Sequence, residues 1–510
     1  MCLTAPRLHA GTVKNHKLKG WTKGVNHYEH GLPNLAILVL LADLGFCIIT
    51  GIRKKSAVNN ADDYFIAGKK TGMFFMTMTA FSSLLGAGLF MGQCGRGAMY
   101  SISAYWQLFG EGIVAGIVMA LIIGPFLARF KYYSMAHFIG GYICGNNKTI
   151  RRVAGVANLF PNVFWAGAQI MGISYVVQNI IGIDYRAVAV ICGVVFIFYT
   201  MMGGIESVLV TDALHGIIAI VSCLTIIILS LKLMNFDIGA LKADVMAIDP
   251  DMWNMHTMPP IQIVTAFLTG FLGTLANPIY WNRAFTAKDP QTCRRAYVFA
   301  FTVGTILPLF AILMGLLAFS MNQNVGDQAL VWLVTENMPP IVTVLLGLSV
   351  LAAPLSSADT HLNCSAANVV ADIMDPESKL PTEKTLKCSR ISTVISGIIA
   401  IAVAMYFPSI YELTNFGYTV CGGVLVPLFV IGLLMMDRKS KTYSSKLKPT
   451  GALCGMVIGI IVAIIFQGVP QLNAMLNGGI LPAVVATIAA TLIGNCFGPS
   501  ASASGNQQTK

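Results

Sequence analysis

Two carboxylates stand inside long apolar runs: Glu111 in YWQLFGEGIVAG and Asp212 in VLVTDALHG. An ionised carboxyl in hydrocarbon is costly unless a cation or hydrogen-bond donors meet it. At that depth it marks a site or a pathway by default. Gln107 adds a second polar group one helical turn before Glu111. The competing structural readings are a Glu111 that reaches the outer surface and an Asp212 that caps a tight turn. Two further stretches could act through their backbone. In FSSLLGAGLFMG, Phe81 to Gly92, the glycines Gly86 and Gly88 stand in mid-run. In TGFLGTLANPIYWNRAF, Gly270, Gly273 and Asn277-Pro278 interrupt a second run. Glycine weakens a helix by about 1 kcal/mol relative to alanine, and proline frees a carbonyl one turn back. In lipid each freed group costs several kcal/mol unless protein or a water-filled cavity satisfies it. Such breaks present backbone groups to a ligand; close packing of small residues is the alternative.

The elements that must hold these groups are membrane helices. The chain has 510 residues, 55% hydrophobic and 11% charged, with a mean hydropathy of +0.71. Apolar runs of about 20 residues recur along it, the mark of an all-α polytopic membrane protein. About thirteen spans are expected, near 34–52, 73–97, 104–128, 153–182, 186–204, 207–235, 261–284, 295–321, 339–368, 390–407, 410–436, 450–468 and 479–497. Basic residues cluster in alternate loops, for example Arg53, Lys54 and Lys55; Arg129 and Lys131; Arg151 and Arg152; and Arg438, Lys439 and Lys441. Placing those loops inside leaves Arg96, Arg186, Lys232 and Lys242 outside. It predicts a multi-pass cell-membrane protein with its N-terminus outside and its C-terminus cytoplasmic. The basic arm 1–33 is expected to be flexible and non-cytoplasmic, and it lacks the apolar core of a secretory signal. The tail 498–510 also reads as flexible.

The net charge of +11 is accounted for by the basic loops and implies no nucleic-acid partner. The twelve cysteines show no C-x-x-C and no metal-ligand spacing and read as small buried hydrophobes. No phosphate-binding glycine loop and no nucleophile–base pair stands out, which argues against an ATP-driven pump and against an enzyme.

Four stretches together resemble the sodium:solute symporter family. The first is ADDYFIAGKK, Ala61 to Lys70, ahead of the first interrupted run. The second, FYTMMGGIESVLVTDAL, carries Tyr199-Thr200, Gly203-Gly204 and Thr211-Asp212 at the family's spacing, with Ile205 where Leu, Met or Phe is usual. The third is the second interrupted run, which ends in Arg283 and AKDPQTCRR. The fourth, LAAPLSSADTHLNCSAANVVADIM, supplies Ala353, Ser356, Ser357, Asp359, Leu362, Asn363 and Asp372. The likeness runs over residues 61 to 437. It implies a leucine-transporter-like fold, with five-helix repeats at 73–235 and 261–436 related by inversion and the first helix of each discontinuous. The helices at 34–52 and 450–497 are then peripheral.

The resemblance also implies a sodium site. Its carbonyl oxygens would come from Ser82, Leu85 and Ala353, and its hydroxyls from Ser356 and Ser357. Asp212 would serve as counter-charge or belong to a second sodium site. Oxygen ligands suit this hard cation. The solute is expected beside it, against Gly86, Gly88, Gly273 and Asn277, with Glu111 and with Tyr418 of the gating helix. Positions that bind sugar in the sugar-carrying branch are here Leu84, Leu89 and Gly273, none with a polar side chain. Leu84 also stands where the proline carriers use an aspartate. Sugar and proline are therefore disfavoured, and a small carboxylate, amino acid or vitamin-like solute is expected. The implied function is sodium-coupled symport by alternating access, with sodium as the co-transported ion and the lipid bilayer as the setting. The alternatives are a proton-coupled symporter of the same fold, using Asp212, Asp359 or Glu111, and a membrane solute sensor without transport.

Overall fold

The computed structural model describes residues 32–85, 89–407, 410–436 and 445–497. The N-terminal arm, Gly86 to Gly88 and the tail fall outside them. Helices dominate: α1 Leu32–Lys54, α2 Met73–Leu84, α3 Met91–Tyr100, α4 Ile102–Leu127, α5 Lys148–Ile181 and α6 Tyr185–Leu233. They continue with α7 Pro260–Ala276, α8 Pro278–Thr286, α9 Pro290–Met321, α10 Pro340–Ala367, α11 Thr382–Tyr406 and α12 Ile410–Leu434. The last three are α13 Pro449–Gly468, α14 Pro470–Leu476 and α15 Ile480–Cys496. Each expected span overlaps one of these helices. Among the described residues, seven helices are long and apolar enough to cross a membrane, with α7 and α8 together forming one of them.

The helix ends follow their capping residues. Asn147 accepts from the Ile150 N–H at the start of α5, and Asp289 accepts from the Thr292 N–H at the start of α9. Gly182 closes α5 at φ +78°. Within α6 the chain kinks at the second glycine of the Gly203-Gly204 pair. Gly204 has φ +52° and ψ −153°, a conformation that L side chains rarely adopt. A Cβ there would also lie 2.8 Å from the Tyr64 ring and 2.9 Å from its carbonyl. The segment holding Tyr64 is itself fixed by amides from two distant helices. Asn363 of α10 donates to the Tyr64 carbonyl at 3.2 Å, and Asn282 of α8 donates to the Phe65 carbonyl at 2.9 Å.

Small residues bring the helices close, as in other membrane bundles. A Cβ on Gly315 of α9 would lie 2.0 Å from the Cys94 carbonyl of α3. One on Gly270 of α7 would lie 2.1 Å from the Gln107 carbonyl of α4, and one on Gly110 of α4 would lie 2.2 Å from the Phe267 carbonyl of α7. Outward faces stay apolar; on α6, Ile191, Val194, Val221 and Ile228 are exposed. Both outlying units make polar contacts with the bundle. The first span has a polar partner, since Asp43 of α1 pairs with His215 of α6 at 3.1 Å. Cys47 joins them in a cluster that sequence spacing did not reveal. At the other end of the chain, Thr487 of α15 donates to the Gly423 carbonyl of α12, and α14 and α15 bend by 93° across their break.

Asp327 lies in the loop between α9 and α10 and accepts the Ile410 N–H at the start of α12, 3.1 Å away. Burial pushes its carboxyl up to about 6 from an ordinary 3.8, with Glu412 adding to the rise. A raised carboxyl favours the protonated fold. Its stabilisation is complete below 3.8 and is lost as pH climbs through about 6. The thermal midpoint of the purified protein should therefore fall between acidic and neutral pH, by the equivalent of at most about 3 kcal/mol. Asp327→Asn should remove that part of the profile, and an identical profile in the variant would contradict the assignment.

Candidate functional site

The first break is real in the backbone. Helix α2 stops at Leu84, Leu85 caps it, and α3 begins at Met91. A helix end leaves carbonyls without intrahelical partners, and here α10 meets them with hydroxyls. Ser357 donates to the Ser83 carbonyl at 3.0 Å, and the Ser82 and Ser356 hydroxyls lie 2.8 Å apart. All four serines are buried. Ala353 lies one turn before Ser357 on α10. The second break is at Asn277, where ψ is +118°; the side chain accepts from the Ile279 N–H and starts α8.

Beside the first break lies a charged cluster. Asp212 and Arg283 are fully buried and paired at 2.9 Å. The same Arg283 nitrogen donates to Ser83, 3.1 Å away, and to Thr360. Thr79 donates to Asp212. Tyr199 donates to the neighbouring Asp359 at 3.0 Å. Arg283, read from sequence as the cationic end of a span, is thus a core residue tied to α2, α6 and α10. Oδ2 of Asp212 is engaged by Arg283 and Thr79, whereas Oδ1 is buried without a partner among the described residues. Asp359 joins the same cluster through Thr360, whose hydroxyl accepts from Arg283 and lies 3.3 Å from Asp359 Oδ1.

A small cavity of about 50 Å³ adjoins this cluster at Ser83. Leu84, Leu89, Glu111, Asn277 and Tyr418 all line it, with Ser357 at the side of the serine pairs. Glu111 sits in a π-helical stretch of α4, Phe109–Val114, a distortion common at functional sites. Its Oε1 accepts from the Tyr418 hydroxyl at 2.6 Å, and its Oε2 from Gln93 at 3.3 Å. Trp165 packs against Tyr418 with ring centroids 5.1 Å apart and donates to the Thr414 carbonyl. Gly273 lies behind the cavity, under the Tyr418 ring; a Cβ there would be 2.3 Å from Tyr418 Cγ. Gly86 and Gly88 lie outside the described residues. Ser82, Leu85 and Ser356 are buried, and none of them lines the cavity.

Sequence reading missed Arg96, Gln93 and Trp165, all of which line the cavity. Arg96 was assigned to an outside loop, yet it is only 4% exposed on α3. The signal was present. Arg96 falls inside the expected span 73–97, so the reasoning that singled out Glu111 applied to it equally.

The sequence profile of the sodium:solute symporter family matches residues 64–459. The sodium/sialic acid symporter of Aliivibrio fischeri is 24% identical, over 81% of this chain and 85% of that protein. The sodium/pantothenate symporter of Haemophilus influenzae is 24% identical, over 83% of this chain and 88% of that protein. A solved sodium-coupled sialic acid symporter in a substrate-bound, outward-open state superposes with a TM-score of 0.73 at 17% identity, covering 91% of this chain and 98% of that one.

Gly273→Ala should force the Tyr418 ring off its seat, break the hydroxyl bond to Glu111 and cost about 1–3 kcal/mol. Tyr418→Phe should cost about 1 kcal/mol and leave the ring in place. Melting curves give the energies. Emission from Trp165, which touches Tyr418, should shift in the glycine variant and hold in the phenylalanine one; equal spectra would contradict the packing.

Proposed function

The chain belongs to the sodium:solute symporter family, and on that premise we propose that it moves a small organic carboxylate, amino acid or vitamin-like acid together with sodium, by alternating access. The observation that carries this reading is the meeting of α2 and α10. Their serine hydroxyls and the end carbonyls of α2 form an oxygen-rich seam in the interior. In the proposal, sodium replaces the direct hydrogen bonds of that seam, held by carbonyls of Ser82, Leu85 and Ala353 and by the hydroxyls of Ser356 and Ser357. The free oxygen of Asp212 supplies negative charge nearby. Sodium then ties α2, which lines the solute cavity, to α10. The units 73–235 and 261–436 rock around this joint, with the N-terminus outside and the C-terminus inside.

The apolar Leu84 and Leu89 support the rejection of sugar. The relatives are named for sialic acid and pantothenate, both carboxylates, which supports an acid as solute. The energetics suffice. One sodium crossing 100 mV releases about 2.3 kcal/mol, and a tenfold gradient adds about 1.4 kcal/mol. Together they support roughly 500-fold accumulation of an uncharged or zwitterionic solute. Coupling requires that sodium favour one state over the other by differential binding.

Sodium at 100 times its dissociation constant should stabilise the purified protein by about 2.7 kcal/mol relative to equimolar potassium. The double substitution Ser356→Ala with Ser357→Ala should erase that difference and abolish sodium-driven uptake in reconstituted vesicles while expression holds. An unchanged sodium response in this variant would refute the ion site.

A further inference from the structure

Arg96 is a cation with no carboxylate partner among the described residues. Its Nη1 donates to Gln93 Oε1 at 3.1 Å, and the guanidinium lies 4.6 Å over the Tyr411 ring. Its Nε is buried and unpaired. The Nε–Nη2 edge, the side of the fork that grips a carboxylate with two parallel bonds, is therefore left without a partner among the described residues. A buried guanidinium in that state is expensive, yet it lines the cavity between the two broken helices.

Glu111 is its complement. Each carboxylate oxygen accepts one hydrogen bond, from Tyr418 and from Gln93. A carboxylate has about four acceptor sites, so room remains for a donor. Gln93 bridges the two charges, taking a hydrogen from Arg96 and giving one to Glu111. One amide between them sets the charges roughly 6–8 Å apart by ordinary hydrogen-bond lengths. That gap fits a carboxylate and a donor on adjacent carbons, each hydrogen-bonded to its own pole. A zwitterion pairs both charges at once and adds no net charge to the interior. Leu84, Leu89 and Tyr280 supply an apolar wall for whatever the same carbon carries.

We propose that the solute is an α-amino acid with an apolar side chain, its carboxylate on the free edge of Arg96 and its ammonium on Glu111. This rests on the symport reading above and gives it a solute class. The two can fail separately.

The test uses purified full-length protein and two matched sets of compounds. One set is L-alanine, L-lactate, propionate and alanine methyl ester; the other is L-valine, 2-hydroxyisovalerate, isovalerate and valine methyl ester. Each is titrated in sodium and in potassium, with thermal shift and tryptophan emission as readouts. In at least one set the amino acid should bind best, the hydroxy acid next, and the plain acid at least tenfold weaker than the amino acid. The ester, which has the ammonium without the carboxylate, should not bind. Arg96→Gln should lose the preference for acid over ester, Arg96→Lys should keep part of it, and Glu111→Gln should level the amino acid with the plain acid. If Arg96→Gln does not fold, the acid–ester comparison on the native protein decides alone. Esters that bind as well as acids, an acid preference that survives in Arg96→Gln, or no binding in either set would overturn the proposal. Amino acid binding that is equal in sodium and potassium would support the recognition and refute the coupling.

Discussion

A helix that stops inside hydrocarbon leaves carbonyls that lipid cannot satisfy. The structure answers this at the end of α2 with the hydroxyls of α10, serine against serine and serine against carbonyl. At the second break the orphan group it meets is an N–H: the side chain of Asn277 accepts from Ile279 and caps the helix it begins. Much of the interior follows from these two repairs. The residues that close each break are polar and buried. The helices that carry them are therefore locked in register around a space where other polar groups can collect.

The buried charges obey the same constraint. Arg283 joins Asp212, Ser83 and Thr360, which lie on α6, α2 and α10. Breaking such a pair by removing one member usually costs about 3–5 kcal/mol, because the other is left buried and uncompensated. The cluster is a structural bolt with chemical consequences. It uses one oxygen of Asp212 and leaves the other free beside the serine seam. An ion that took up that oxygen would act on the elements that form the cavity wall, which is the physical route by which ion and solute could be linked.

Close backbone packing sets the geometry of the solute side. Gly110 and Gly270 let α4 and α7 touch, at the π-helical turn from which Glu111 enters the cavity. Gly273 lets the Tyr418 ring lie flat on α7, and the ring delivers its hydroxyl to Glu111. No single residue makes the pocket polar. Gln93 and Tyr418 are placed by two different helices on the two oxygens of one carboxylate.

The sequence alone determined what depends on neighbours along the chain. Hydropathy marked the spans, and glycine and proline marked both interruptions. Family-like motifs picked out Ser356, Ser357 and Asp212 as residues of the interior, and the apolar run around it did the same for Glu111. Tertiary structure decided which distant groups meet. Arg96 and Arg283 read as the charged ends of helices because hydropathy treats every cation at a span's edge alike; the fold buries one beside Gln93 and the other against Asp212. The link from Asp43 to His215 joins positions far apart in the chain. The physical reason is that a span's apolarity is a local sum, whereas the partner of a buried charge depends on how the helices cross, and that is set by contacts between residues hundreds of positions apart.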